Sequence, residues 1–395
     1  MFLFLLYTFG AIIKTSPFHH SNKEISPFTQ IAFSNKTVYL GGTGGIVALH
    51  RENLTEKWKT FTYSNVWLLL YRDENEEIIQ CYNDILNESH CIKLTSDLQL
   101  AKNSSMPLHV NITYMPTYSM SNMGSGVNND IAIIGATSFG FFSLNLTDMI
   151  IHVLYHLKQG TDNVFKSSFV YNASYVYFFY QIFQTSGQYN SSKIEKFCLN
   201  YIADETDITL YSAFDMELSC VYEKKTFKKI EHGISFDEVI LVVFREDNTS
   251  LICFYNQSDI TEGFLDSRNQ CKSNNETGTQ TSNNCKGQDD DICNKNYSHT
   301  FEVGNGIENR NPAYAGKDVI TSVDILFHNG MTVPYVGTED GRIGQIRPYV
   351  LGDDNIKNAV FQQIDTTKII QINTTQEHIQ ALSSQKVIDI KSKEN

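Results

Sequence analysis

Apolar segments arrive in pairs along this chain, joined by short turn-forming stretches at nearly constant spacing. That pattern constrains the fold more than any other feature of the sequence. Three copies share one layout, an apolar strand, a Gly/Thr-rich turn and a second apolar strand: Val38–Leu49, Ala132–Leu144 and Pro334–Ile346. Their leading glycines, Gly41, Gly135 and Gly337, are 94 and 202 residues apart, close to two and four units of about 49. Hairpins with other turn chemistry fill the places between. They are Glu77–Cys81 with Cys91–Leu94, Tyr175–Tyr180 with Lys193–Cys198, Val239–Phe244 with Leu251–Tyr255, and His378–Leu382 with Lys386–Ile390. Turn centres fall near 43, 86, 138, 188, 247, 339 and 384. Seven near-equal units, one carrying an insertion, predict an all-β, seven-bladed β-propeller over residues 26–391. Ser26–Phe33 is expected to pair with the last blade and close the ring, removing exposed edges.

The one long gap holds residues 262–318, where Cys271, Cys285 and Cys293 lie among Asn, Thr, Gly and Asp with almost no apolar periodicity. This reads as a disulfide-stapled excursion from a blade, not as a second domain with its own core.

Composition narrows the function. Lys+Arg 31 against Asp+Glu 44 gives a net charge of −13 with no basic block, which argues against a nucleic-acid partner. An apolar fraction of 41% builds a core, and 25 Phe and 21 Tyr against 7 Pro favour strands. Met1–Ile13 is an apolar run ending at Lys14, too short to span a bilayer. It fits a signal peptide over residues 1–17, without the usual positive start; a buried first strand is the alternative. No later segment reaches spanning length. Thirteen Asn-x-Ser/Thr acceptor sites follow: Asn35, Asn53, Asn87, Asn103, Asn111, Asn145, Asn172, Asn190, Asn248, Asn256, Asn275, Asn296 and Asn373. The eight cysteines include no Cys-x-x-Cys, so disulfides are favoured over zinc or redox chemistry. These signals place the protein outside the cell, secreted or at the cell surface.

Candidate chemistry is thin. Gly41–Gly45 after a strand could cradle phosphate, but Ile46–Leu49 reads as strand rather than the helix such a cradle opens, so a hairpin turn is favoured. His152 and His156 stand i, i+4, yet Val153 occupies the place of the general-base Glu that zinc proteases need. Asp289–Asp291 is followed by Cys293 and Asn294, which break the calcium-loop ligand order. The only tryptophans, Trp58 and Trp67, sit in no sialidase-type box, and Gly124–Gly126 lacks the spacing of a nucleophile elbow. The aromatics of Tyr171–Phe183 are read as core between blades rather than as a ligand platform. No enzyme activity, metal site or cofactor is called for.

The segments Val38–Gly42, Phe169–Tyr171 with Tyr175–Phe179, Lys193–Cys198, Glu217–Cys220, Leu251–Phe254, Val336–Arg342 and His378–Ile388 together resemble the sema domain of semaphorins, plexins and the hepatocyte growth factor receptor family. The resemblance covers residues 26–391 and is closest to the plexin and growth-factor-receptor type. It implies a seven-bladed propeller with the Cys-bearing excursion in the fifth blade, and extracellular recognition of a semaphorin-like or other sema-domain protein. A secreted semaphorin-like ligand that engages plexin-type receptors is the alternative, and a propeller glycan hydrolase the remote one. A dimer would favour the ligand, and a monomer, the favoured state, the receptor type. Contact residues are not legible.

Eight cysteines allow 105 pairings. Cys81 and Cys91 end facing strands of one hairpin, within bridging reach. For the other six, the resemblance implies Cys220–Cys253, Cys271–Cys285 and an outer Cys198–Cys293. Sequential pairing of Cys198–Cys220 and Cys285–Cys293 is the alternative.

Overall fold

The computed structural model describes residues 15–17, 25, 27–72, 76–83, 89–107, 120–122, 131–136, 140–145, 151–156, 161–171, 175–184, 186–198, 213–276, 306–328, 331–346, 359–374, 378–383 and 385–391. Nearly all of it is antiparallel sheet. After β1 (Thr15–Pro17) come β2 (Phe28–Phe33), β3 (Thr37–His50), β4 (Glu56–Arg72), β5 (Glu77–Asn83), β6 (Ser89–Thr95) and β7 (Leu100–Pro107), hydrogen-bonded in that order from β2 to β7. A four-stranded sheet follows: β8 (Met120–Asn122), β9 (Ile131–Ala136), β10 (Gly140–Asn145) and β11 (Ile151–His156). Next run β12 (Thr161–Tyr171), β13 (Tyr175–Gln184), β14 (Tyr189–Cys198), β15 (Ala213–Tyr222) and β16 (Lys225–Phe227). Then come β17 (Ile230–Phe236), β18 (Val239–Glu246), β19 (Thr249–Asn256), the helix α1 (Gln257–Glu276), β20 (Ile307–Asn309) and β21 (Tyr314–Gly316). β21 completes the sheet of β17–β19, whereas β20 adds in parallel to β15. β22 (Ile320–His328), β23 (Met331–Thr338), β24 (Arg342–Ile346) and β25 (Ala359–Gln363) form another sheet. In the last, β26 (Ile369–Thr374), β27 (His378–Ser383) and β28 (Val387–Lys391) are joined by β1.

β3 doubles back on itself. The Arg51 backbone N–H donates to the Lys36 carbonyl 3.0 Å away. A straight strand would hold these residues about 50 Å apart at ~3.3 Å per residue. The fold-back lies at Thr43–Gly44, where Gly44 has φ 105°, left-handed backbone that glycine adopts without a Cβ clash. The glycine run is therefore a hairpin turn, as its sequence implies.

Closure of the last sheet differs from the expectation. Ser26–Phe33 supplies β2, which pairs with β3 through Phe28↔Gly42 to Phe33↔Val38. The strand that edges β28 is β1, with Thr15↔Ile390 and Pro17↔Ile388. Its proline sits on an edge strand, where a missing N–H is tolerated. Strand partners so far apart in sequence leave no local signal. A cut after residue 17 would remove β1, and residues 1–14 lie outside the described residues.

Cores form between successive sheets. Tyr177 and Ile194 pack with Ile230 and Val242, Leu241 and Val243 with Val323 and Val336, and Ile343 with Ile369 and Ala381. Leu382 and Val387 of the last sheet share a core with Phe28 and Leu40 of the first. The repeated glycines now have a packing reason. A Cβ on Gly41, Gly135 or Gly337 would lie 2.8 Å from Val66, 2.6 Å from Phe165 or 2.5 Å from Ile369, each on the first strand of the next hairpin stack. Between β13 and β17 the roles reverse: Phe179 is the large partner and Gly233 yields to its ring. The aromatics of β13 are core, with Tyr177, Phe178 and Phe179 fully buried and Phe178 edge-on to Phe141 and Phe197.

The segment 262–318 is less of an outlier than its composition implies. α1 begins before it and buries Ile260 and Phe264, while Ala313 and Tyr314 at its far end are buried too. Asn256 precedes α1 and donates from Nδ2 to Asp259 Oδ2 at 3.1 Å, and Asp259 sits in the first turn, where a negative charge is favourable. Gln257 Nε2 donates to the Tyr177 hydroxyl at 2.6 Å, docking the helix on β13. Residues 277–305 lie outside the described residues.

Candidate functional site

First strands carry a repeated irregularity. The pairing register shifts at Thr29, Trp67, Lys166, Glu231, Thr321 and Ile370, one bulged residue near the start of each of β2, the second half of β4, β17, β22 and β26 and in the middle of β12. A bulge turns its side chain out of the regular alternation. Three of these side chains reach the neighbouring first strand. Thr29 Oγ1 donates to the Val66 carbonyl at 3.0 Å, Thr321 Oγ1 donates to the Ile369 carbonyl at 2.6 Å, and Lys166 Nζ meets Glu231 Oε2 at 2.8 Å.

The same end of the sheets, where first strands begin and second strands finish, carries a lattice of charges. Lys229 pairs with Glu231 at 3.7 Å, Lys225 with Glu246 at 3.0 Å, and Arg245 with Glu339 at 3.5 Å. Arg342 reaches Asp318 at 2.9 Å and Asp340 at 2.8 Å, and Lys386 reaches Asp365 at 3.2 Å. Burial pushes the Glu231 carboxyl up, but Lys166, Lys229 and Arg245 outweigh it and hold Glu231 below the usual carboxylate range. Burial, with the charge of Lys166, pushes the His232 imidazole down to about 4, so it is neutral at physiological pH. Apart from the buried Asp365, these charges are at least partly exposed, and each is paired within the fold. Among the described residues, no group of three or more His, Cys, Asp or Glu side chains is placed to hold a metal ion.

Two disulfides are present among the described residues. Cys81–Cys91 bridges directly opposed positions of β5 and β6, Cα atoms 4.1 Å apart. Cys220–Cys253 ties β15 to β19, Cα atoms 6.3 Å apart. Cys198 ends β14 and Cys271 lies in α1, but their side chains, with Cys285 and Cys293, fall outside the described residues.

Of the acceptor sites, Asn35, Asn53, Asn190, Asn248 and Asn256 are exposed and Asn373 is half-buried in β26. Asn103, Asn145 and Asn275 lie in β7, β10 and α1 with side chains outside the described residues; Asn87, Asn111, Asn172 and Asn296 lie wholly outside them. His152 and His156 are on strand β11, not on the helix that zinc-protease spacing requires. Asp289–Asp291 and Gly124–Gly126 are outside the described residues.

Sequence reasoning missed the bulges, because a one-residue register shift leaves no compositional trace. It also missed two exposed aromatics, Trp58 and Phe61, on the first half of β4. The alternation of Lys57, Trp58 and Lys59 was its available signal.

No known family profile matches the chain, and neither does any curated protein. Solved structures do. The plexin A4 full extracellular region, domains 1 to 10, superposes with a TM-score of 0.76 at 13% identity, covering 96% of this chain and 40% of that one. The chain has the sema fold. Drosophila Semaphorin 1a, extracellular domains 1-2, has a TM-score of 0.65 to it at 12% identity, covering 96% of this chain and 88% of that one. The Drosophila Plexin A structure in complex with Semaphorin 1b gives 0.62 at 12% identity, covering 95% and 86%. This chain with a sema fold thus spans well under half the length of the plexin A4 region. No helix among its described residues is long and apolar enough to cross a membrane.

Proposed function

We propose that the chain is an extracellular, plexin-like recognition protein that binds a semaphorin-like or other sema-domain partner through the charged end of its sheets. The observation that carries the reading is the sema fold over 96% of the chain, with a higher TM-score to plexin A4 than to Semaphorin 1a. The sheets count as seven four-stranded blades on this reading. β2, the two arms of β3 and the first half of β4 make one blade; the second half of β4 with β5–β7 makes the next. Blades β8–β11, β12–β15, β17–β19 with β21, β22–β25, and β26–β28 with β1 complete the ring, so the segment 262–318 leaves the fifth. In support, β8, β12, β17, β22 and β26 touch in succession, as inner strands around an axis do.

The remaining cysteines are assigned as Cys271–Cys285 and Cys198–Cys293, a nested arrangement that anchors a segment with few apolar residues. A leader within residues 1–17 and glycans on exposed acceptor sites complete the secretory reading. The protein acts by binding rather than by catalysis. Light scattering on the secreted chain separates receptor type from ligand type: a monomer is expected, and a stable dimer would favour the semaphorin-like ligand. Non-reducing peptide mapping tests the cysteines, and a Cys198–Cys220 peptide would overturn the nested arrangement.

A further inference from the structure

We infer that Asn53 carries an N-glycan whose place on the fold shields the free edge of β4. The inference rests on the secretory reading above and adds a role for one acceptor site. Glu56–Phe61, the first half of β4, has β3 on one side and no strand on the other among the described residues. Free edges template pairing with other chains, and lysines blunt them only in part. This edge exposes two large aromatic side chains, Trp58 and Phe61, each 41% accessible and, by the regular alternation between them, on opposite faces of the sheet. Lys57 Nζ lies 4.5 Å over the Trp58 ring, and Lys59 Nζ lies 5.7 Å over that of Phe61 and 3.6 Å from Glu56 Oε1, so each lysine is drawn to its own neighbours rather than projecting from the edge.

Asn53 stands in the turn that leads directly into this edge. The turn is closed by Leu54 N–H to His50 carbonyl and by His50 N–H to Thr55 carbonyl, both 2.8 Å, with Leu54 buried beneath it. Asn53 Oδ1 accepts from the Thr55 backbone N–H at 3.1 Å and from the Thr55 hydroxyl at 2.7 Å. This Asx-turn engages the carbonyl oxygen and leaves Nδ2, the atom a glycan would occupy, as the free end of an exposed side chain. Two other exposed sites are less open. The hydroxyl of Thr37, in the Asn35 site, is buried and accepts from Lys57 Nζ at 3.3 Å. Asn256 Nδ2 donates to Asp259 Oδ2 at 3.1 Å. A bulky, hydrated glycan on Asn53 would stand beside the aromatic edge and keep other chains from adding to it.

Glycopeptide mapping of the secreted full chain, with light scattering and an apolar-surface dye, tests this. Asn53 should be occupied. Asn53→Gln should lose one glycan, associate, and bind several-fold more dye, whereas Thr55→Ser, which keeps the acceptor site, should behave as the parent. Adding Trp58→Thr and Phe61→Thr to Asn53→Gln should abolish the association. A bare Asn53 beside occupied sites elsewhere, or an Asn53→Gln chain that stays monodisperse and dye-silent, overturns this inference alone. A secreted chain without any glycan would bring down the secretory reading with it.

Discussion

Two junctions between sheets solve the same packing problem with different chemistry. Where β12–β15 meets β17–β19, Phe179 packs onto Gly233, whose N–H donates to Ser167 Oγ at 2.6 Å. Gln181 Nε2 donates to the Ile230 carbonyl at 2.5 Å, and Lys166 meets Glu231. Where β22–β25 meets β26–β28, the glycine is on the other strand. Gly337 makes room for Ile369, and the bulged residue is the neutral Thr321, donating to the Ile369 carbonyl. Thr374 N–H donates to Asp324 Oδ2 at 2.5 Å, and its hydroxyl to the Ile325 carbonyl at 2.7 Å. The fold fixes where a small residue must face a large one. It does not fix which strand supplies which, nor whether the bulged side chain is charged.

The largest difference should come from Cys220–Cys253, which spans the first junction while no disulfide spans the second among the described residues. Its separation of 33 residues corresponds to about 4 kcal/mol of unfolded-state restriction. Replacing both cysteines by alanine should therefore lower urea stability by that order and speed hydrogen exchange at Ile230 and Gly233 before Thr374. Equal loss of protection at both junctions would show that they unfold as one unit.

Next come the glycines. Gly233→Ala and Gly337→Ala should each cost about 1–3 kcal/mol by overpacking. Phe179→Leu should rescue part of the first loss and none of the second, while Ile369→Ala, which removes the Cγ2 that the new methyl would meet, does the converse. A double-mutant cycle with no coupling in either pair would dissolve the complementarity argument.

These glycines show how much the sequence discloses. Gly41, Gly135 and Gly337 align by spacing alone, and the hairpins they belong to are where the repeat puts them. What the repeat does not carry is the neighbour: Val66, Phe165 and Ile369 lie on the first strand of the next stack, unremarkable in sequence. β1 is equally silent, being three residues whose partner is more than 370 positions away. α1 escaped notice because its apolar face is little more than Ile260, Phe264 and Leu265, although Asn256 and the i, i+4 pair Ile260 and Phe264 were a readable start. The charged end of the sheets was invisible for a different reason. Its members are scattered from Lys166 to Lys386 and only the fold gathers them.

Smaller effects separate the bulged residues. Lys166→Met leaves Glu231 less compensated in a half-buried place, so its cost should exceed the ~1 kcal/mol of a lost hydrogen bond in Thr321→Val. Raising salt should weaken the parent at the Lys166 junction and leave the Thr321 junction unchanged. A salt response of the same size at both would contradict the assignment.

At neutral pH the smallest effect is protonation, but its sign differs between the junctions. His232 titrates near 4 when folded against 6.5 unfolded, so the unfolded chain binds more protons in that window. Its contribution is intact above pH 6.5 and is lost as pH falls towards 4. Burial raises Asp324 above its ordinary 3.8 despite its backbone hydrogen bonds. The folded chain therefore takes that proton first, and the second junction gains stability as pH falls through the raised value. Hydrogen exchange from pH 7 to 4.5 should show protection falling at Gly233 and holding or rising at Thr374, and His232→Gln should flatten the first trend.

Whether this sema fold binds another sema-domain protein, as proposed, is decided by a direct binding measurement. The secreted, glycosylated chain is immobilised and exposed to purified semaphorin and plexin ectodomains over a concentration series. A second series uses a chain carrying Lys229→Glu and Arg245→Glu at the charged end. Saturable binding to at least one ectodomain is expected, weakened by added salt and by the charge reversals. A folded, monodisperse chain that binds none of them, or binds equally well with those charges reversed, would contradict the proposal.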